Sequence, residues 1–186
     1  MSRAVIVPLV AVSVLWGCGE GPPSERPKVP VVTGPIVEHA EASAGVAFGA
    51  STFPCCSTTE LTAVVGAFVG LGEALAADDA SAASERVGAL GSALAALPPE
   101  TPSAAELVAL SGRMAGQDLE GMREEFLDLS VPMLATARDG RSDGGAIRVA
   151  VAFCPMKPGR WLQVTDGIKN PYYGASMLTC GVFEAP

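Results

Sequence analysis

The sequence predicts a mainly α protein: an antiparallel four-helix bundle with a small C-terminal strand and loop module. Three observations predict it. Apolar residues recur at helical spacing in four successive segments between Leu61 and Met133. Short breaks separate these segments, which favours antiparallel neighbours in an up-down arrangement. Hydrophobic residues make up 49% of the chain but aromatics only 5%. A core of Leu, Val, Ala and a few Phe and Met suits packed helices better than an aromatic-rich sandwich.

The N-terminus reads as an export signal over residues 1–17. Arg3 supplies a positive charge, and the apolar run from Ala4 to Gly17 follows. The run is shorter than the roughly 20 residues of a bilayer span, and Pro8 weakens a helix within it. It ends in Leu15-Trp16-Gly17-Cys18, which resembles a bacterial lipobox with Cys18 as the lipidated residue. Trp16 departs from the small residue usual at its position. An ordinary secretory signal followed by a chance cysteine is the alternative. No other apolar stretch is long enough to span, so the membrane is expected to be met only through the lipid anchor. Gly19 stands where an inner-membrane lipoprotein often has Asp, which favours a periplasm-facing place on the outer membrane.

Residues 18–56 read as a tether. Pro22, Pro23, Pro27, Pro30 and Pro35 punctuate it, and its charges follow no period. The folded part is expected over 57–186, with a bundle at 57–137 and a Cys/Met module at 146–186.

The first helix begins at Ser57-Thr58-Thr59-Glu60, which fits a capping box. Leu61, Val64, Val65, Phe68, Leu71 and Leu75 carry its apolar face. Gly66, Gly70 and Gly72 lower its propensity, so packing must compensate or a close helix approach must require them. Asp78-Asp79 stops this helix and can cap the next. Val87, Leu90, Leu94 and Leu97 form the second stripe, ended by Pro98-Pro99. Ser103-Ala104-Ala105-Glu106 is a second capping box, leading Leu107, Leu110 and Met114. The fourth segment carries Leu119, Met122, Phe126, Leu129 and Met133, and Pro132 should end or kink it. A loop follows over Asp139–Gly145. Ile147, Val149, Val151 and Phe153 then alternate as in a strand. Turns dominate after Cys154, with a short extended piece around Gly181–Glu184.

The formal charge is −8. Loss of residues 1–17 removes only Arg3, giving −8 − 1 = −9. That excludes nucleic acid and anionic lipid as partners, both of which need a basic patch. The single histidine, His39, falls in the tether. Most nucleophilic and metal-hydrolase schemes need a positioned base or several imidazoles, so an enzyme is not expected. No phosphate-cradling glycine motif is present. Glu124-Glu125 reads as solvated charge.

Sulfur is the informative chemistry. Cys154-Pro155-Met156 and Met177-Leu178-Thr179-Cys180 offer two thiols and two thioethers in near-mirror order. Such a soft donor set selects Cu(I) over hard cations. Thiolate is the ligand form, and thioethers complete a shell without losing a proton. The alternative is a Cys154–Cys180 disulfide, as an oxidising compartment permits. Closing that loop would contribute about 3–4 kcal/mol on the chain-entropy estimate, with Met156 and Met177 as core filler. Adjacent Cys55 and Cys56 are not expected to bridge each other. Either could join the C-terminal site if the tether folds back, and four cysteines allow three pairings.

These residues also carry a resemblance. Cys154-Pro155-Met156, Trp161-Leu162-Gln163, Ile168-Lys169-Asn170-Pro171-Tyr172-Tyr173-Gly174 and Met177-Leu178-Thr179-Cys180-Gly181 occur in that order. Together they resemble a domain of unknown function found alone in exported bacterial proteins and fused to copper/silver-efflux periplasmic adaptor proteins. Gln117–Ser130 and Leu71–Asp79 resemble that family's helices, so the likeness spans roughly residues 60–184. It implies a helical bundle with a small metal-associated C-terminal module. This sequence departs from it in having no histidine near the bundle, which leaves an all-sulfur site or none.

The remaining motif residues have structural readings. Asn170-Pro171 favours a turn, and Gly174 permits a positive φ. Trp161, Tyr172 and Tyr173 are expected to pack the module onto the bundle and shield the sulfurs, or simply to fill a core. Arg123 reads as a solvated helix charge, with pairing to a carboxylate of the module as the alternative.

Two functions follow from these residues. The first is an exported lipoprotein binding a soft metal ion, Cu(I), in metal efflux or homeostasis. Its ligands would be Cys154, Met156, Met177 and Cys180, and its partner a metal-efflux adaptor or other periplasmic protein. The second is a disulfide-stapled structural or interaction module that docks to a periplasmic partner without metal.

Overall fold

Over residues 46–186, which the computed structural model describes, helices and sheet contribute jointly to a mixed α/β architecture. The signal over 1–17, Cys18, His39 and most of the expected tether lie outside the described residues. Described are helices α1 (Phe48–Ser51), α2 (Thr59–Ala76), α3 (Ala80–Ala95), α4 (Ala104–Arg113) and α5 (Leu119–Asp139). The strands are β1 (Thr52–Cys55), β2 (Ile147–Cys154), β3 (Gly159–Gln163) and β4 (Val182–Phe183). The expectation of a four-helix bundle with a small appended module is therefore corrected. The C-terminal third supplies three strands of a four-stranded antiparallel sheet, completed by β1, that shares one core with the helices.

β2 is the centre of that sheet. β3 pairs along one edge, from Ala150↔Gln163 to Cys154↔Gly159. Ala150 also pairs Thr52 of β1, and Ala152 and Phe153 also pair β4. β1 and β4 therefore lie end to end along the other edge. The alternation of Ile147, Val149, Val151 and Phe153 suggests one wet face. Instead Val149, Ala150, Val151 and Ala152 are all fully buried. Alanine at the intervening positions lets both faces be covered.

β1 corrects the tether boundary, since α1 and β1 belong to the folded body. Pro54 lacks an N–H to give a ladder, which confines it to an edge strand or strand start. β1 meets that condition, pairing with β2 alone among the strands. The adjacent cysteines are also corrected: Cys55 and Cys56 form a disulfide with each other.

Thr58 caps α2, accepting from the Leu61 N–H at 3.2 Å, one residue later than the Ser57 box predicts. Asp79 caps α3 through the Ala82 N–H at 2.9 Å, as expected. Ser103 adopts a left-handed backbone (φ 64°), so its hydroxyl makes no cap bond. α5 continues through Pro132 to Asp139. Met133, Leu134, Thr136 and Ala137 beyond the proline are all buried, and this packing holds the helix in register.

α2 is long and apolar, with a mean hydropathy of 1.4, and 56% of it is buried within the protein. Phe68 of α2 stacks on Phe126 of α5 at 4.6 Å, and a Cβ on Gly72 would sit 3.1 Å from the Phe126 ring. This close approach accounts for Gly72. The aromatic line continues from Phe126 to Tyr172 at 6.0 Å, then edge-on to Trp161 at 5.6 Å. It joins the helix layer to β3 through the 170s loop, so the sheet and the helices share one core.

Candidate functional site

β2 ends at Cys154, and the turn Pro155–Pro158 leads back into β3. The pairing Cys154↔Gly159 fixes the thiol at the closed end of this hairpin. Cys154 is fully buried. The second sulfur arrives from the far end of the chain, where a 3₁₀ turn at Gly174–Met177 precedes Cys180. The Cys180 N–H donates to the Met177 carbonyl at 2.9 Å, which curls the chain inward. The two Sγ atoms lie 3.5 Å apart, both free of a disulfide.

Asn170 closes the loop that presents Cys180. It is fully buried. Its Nδ2 donates to the Cys180 carbonyl at 2.8 Å, and its Oδ1 accepts from the Tyr172 N–H at 2.9 Å. Its own N–H donates to the Leu178 carbonyl at 2.8 Å. The turn expected at Asn170-Pro171 is thus a side-chain-braced loop.

The loop is fastened to the helices by an ion pair. Arg123 of α5 is buried. Its Nη2 donates to the Leu75 carbonyl at 2.8 Å and pairs with the Asp78 carboxylate. Its Nε donates to the Pro171 carbonyl at 3.2 Å. The other Asp78 oxygen accepts from the Ala175 N–H at 2.9 Å. This corrects Arg123 as a solvated charge: its carboxylate partner is in the turn after α2, and the module meets it through a carbonyl. A Cβ on Gly174 would collide with Asp78 and Arg123, and Gly174 has φ 56°, so both space and backbone require glycine there.

The aromatic residues brace the same region. Tyr172 Oη donates to the Arg160 carbonyl at 2.6 Å and lies 3.3 Å from Ser130 Oγ. Trp161 Nε1 donates to Gln163 Oε1 at 2.9 Å, and Gln163 Nε2 donates to the Thr165 and Gly167 carbonyls, each at 2.8 Å. Tyr173 Oη reaches the Met156 carbonyl at 3.4 Å, linking the two sulfur-bearing turns.

The electrostatics of the two thiols differ. Burial pushes the Cys154 thiol up. Donation from the Lys157 N–H, the Cys180 thiol, the Asn170 amide and the Met156 N–H outweighs it, leaving the thiol below its ordinary value. Hydrogen bonding to Cys154, burial and the negative charge there push the Cys180 thiol up. Donation from the Ala175 N–H and then Arg123 lowers the Asp78 carboxyl. Burial raises the Tyr172 phenol far above its ordinary value, so it remains a donor.

Of the four expected ligands, the structure brings the two thiols together. Met156 is 63% exposed in the turn after Cys154. Met177 is half-buried in the turn before Cys180. Cys55 cannot join them. It pairs with Ile147 at the opposite end of β2, roughly 23 Å away at about 3.3 Å per strand residue. Among the described residues, no three His, Cys, Asp or Glu side chains are placed to hold a metal.

The pairing of Arg123 with Asp78 is what sequence reasoning missed. A signal exists: 119, 123, 126, 130, 133 and 137 follow helical spacing, which places position 123 on the apolar face. The fold and site define a mixed α/β domain with a paired-thiol centre where a hairpin meets a braced loop. No family model, curated protein or solved structure matches the chain.

Proposed function

We propose that this protein is an exported, lipid-anchored carrier of a soft metal ion, Cu(I), in metal efflux or homeostasis. Cys154 and Cys180 are the thiolate ligands, and Met156 and Met177 supply thioethers. The supporting observation is the 3.5 Å separation of two unbonded thiols. Two thiolates about 2.3 Å from one tetrahedral ion stand about 3.8 Å apart, taking zinc as the guide. A disulfide would hold them at about 2.05 Å. The hairpin fixes one ligand in the dry interior, and the half-exposed Cys180 faces the side from which an ion would arrive. Met156 has a flexible side chain that can swing onto a bound ion. Thiolate and thioether sulfur are soft ligands that favour Cu(I) over hard cations.

The C-terminal motif's resemblance to domains fused to copper/silver-efflux adaptors supports such a periplasmic protein as the partner. Cys18 is the anchor: Cys18→Ser should abolish acylation and release the exported protein from the membrane fraction.

The same 3.5 Å approach also favours a second reading, in which the sulfurs close into a disulfide and the domain docks without metal. Metal analysis of protein exported by copper-grown cells separates the two. About one copper per chain, lost in the Cys154→Ser/Cys180→Ser variant, supports the carrier. A copper-free protein with a closed Cys154–Cys180 bridge refutes it.

A further inference from the structure

We infer that the pairing of buried Arg123 with the exposed Asp78 carboxylate is the positioning device of the thiol pair, holding the Gly174–Cys180 segment so that Cys180 meets Cys154. This deepens the carrier reading, from which its purpose comes; its geometry stands independently. Cys154 is fixed by the sheet. Cys180 is held by the sheet on one side only: Val182, two residues on, pairs with Phe153, while the chain before Cys180 has little regular structure. Asn170 braces that segment internally, binding Leu178, Tyr172 and Cys180 of its own loop. Those bonds shape the loop without placing it on the body.

Tyr172 ties the loop to β3 through the Arg160 carbonyl, and the ion pair places the Pro171–Ala175 stretch against α2 and α5. Asp78 leaves α2 with a left-handed backbone (φ 57°), a conformation that aspartate tolerates better than most residues. One of its oxygens takes the Ala175 N–H and the other takes Arg123. Arg123 holds the Pro171 carbonyl on the loop side and the Leu75 carbonyl on the helix side. One guanidinium and one carboxylate thus join α2, α5 and both ends of the Pro171–Ala175 stretch. Gly174 fits the notch between them, where a Cβ would strike both charged groups. An ion pair with one exposed partner contributes little to stability, but its directional bonds can specify one arrangement over others. The arrangement specified here is the register of the loop that carries Cys180. Neither charged group belongs to the sulfur set, so the pair acts through position alone.

The test reads sulfur proximity without any metal. The mature chain is reduced under native conditions and treated with oxidised glutathione. A thiolate of the pair attacks the glutathione disulfide, giving a mixed disulfide and one glutathione. The second thiolate displaces the other glutathione, closing Cys154–Cys180; the net reaction converts two protein thiols and one glutathione disulfide to one protein disulfide and two glutathiones. Mass spectrometry of quenched samples follows both steps. Gly174→Ala drives a methyl into the notch while keeping both charges. It should slow ring closure at least tenfold, with mixed-disulfide formation near the wild-type rate. Asp78→Ala should do the same, and Asp78→Asn, which keeps an oxygen for Ala175, should recover part of the rate. Where Asp78→Ala fails to fold, Gly174→Ala decides. Ring closure at the wild-type rate in Gly174→Ala overturns the inference. A wild-type protein that binds no Cu(I) but shows these rate losses sinks the carrier reading and leaves the positioning device standing.

Discussion

The Sγ atoms of Cys154 and Cys180 lie 3.5 Å apart with no bond between them, while Cys55 and Cys56 are bonded and buried at the far end of β2. Access divides these four sulfurs into two classes. A mild reductant applied to the native mature protein should reach Cys180 and its partner and spare the Cys55–Cys56 bridge. After removal of the reductant and denaturation, thiol titration should count two thiols; full reduction in denaturant should count four. Four thiols after the mild treatment would show that the Cys55–Cys56 bridge is open to solvent.

Asn170 joins the loop to the site through two side-chain bonds, to the Cys180 carbonyl and from the Tyr172 N–H. Asn170→Ala leaves the buried Tyr172 N–H and the part-buried Cys180 carbonyl without a bond, at about 1–2 kcal/mol each. Chemical denaturation should show a loss of about 2–4 kcal/mol, and Cu(I) should bind more weakly to the variant. Unchanged stability would mean that water or another group replaces the amide.

Phe126 stands in the middle of the aromatic line from Phe68 to Tyr172. Phe126→Ala should cost about 3–5 kcal/mol, as large-to-small changes at fully buried aromatics do. Because that line crosses from helix to sheet, helical and near-ultraviolet aromatic signals should melt together. Two separate transitions would show that the layers fold independently.

Asp78 links acid stability to the loop. Its carboxyl is held below the ordinary value of 3.8 by the Ala175 N–H and by Arg123. A group depressed in the folded state contributes stability above its unfolded pKa, and the contribution fades as pH falls through the folded pKa. The stability gap between wild type and Asp78→Asn should be constant above about pH 5 and shrink below about pH 4. Urea midpoints measured from neutral pH downward check this. A gap that stays constant down to the lowest pH at which both proteins fold would contradict it.

Much of the helical layer was legible because its signals are local. The stripes from Leu61 to Leu75 and from Leu119 to Met133 fall on buried faces. The strand at Ile147–Cys154 and the extended piece at Val182–Phe183 were also readable. β1 was not, because Thr52-Phe53-Pro54-Cys55 is short, holds a proline and follows a proline-rich stretch. Its identity comes from pairing with β2, about a hundred residues on. β3 was hidden by the turn residues around it. Missing two strands turned a mixed α/β fold into an expected bundle.

The site was legible in part for the same reason. Cys154 and Cys180 announced themselves as near-mirror sulfur motifs, and the structure brings their thiols together. The Arg123–Asp78 pair joins residues far apart in the chain and has no local signature beyond the helical position of Arg123. Asn170 looked like a turn former, and its role depends on where Cys180 returns.

The most direct measurement is a titration of Cu(I) into the reduced protein against a competing chelator, with the Cys154→Ser/Cys180→Ser variant in parallel. The account predicts one tightly held ion per chain in the wild type and loss of that site in the variant. Equal, weak binding by both proteins would contradict it.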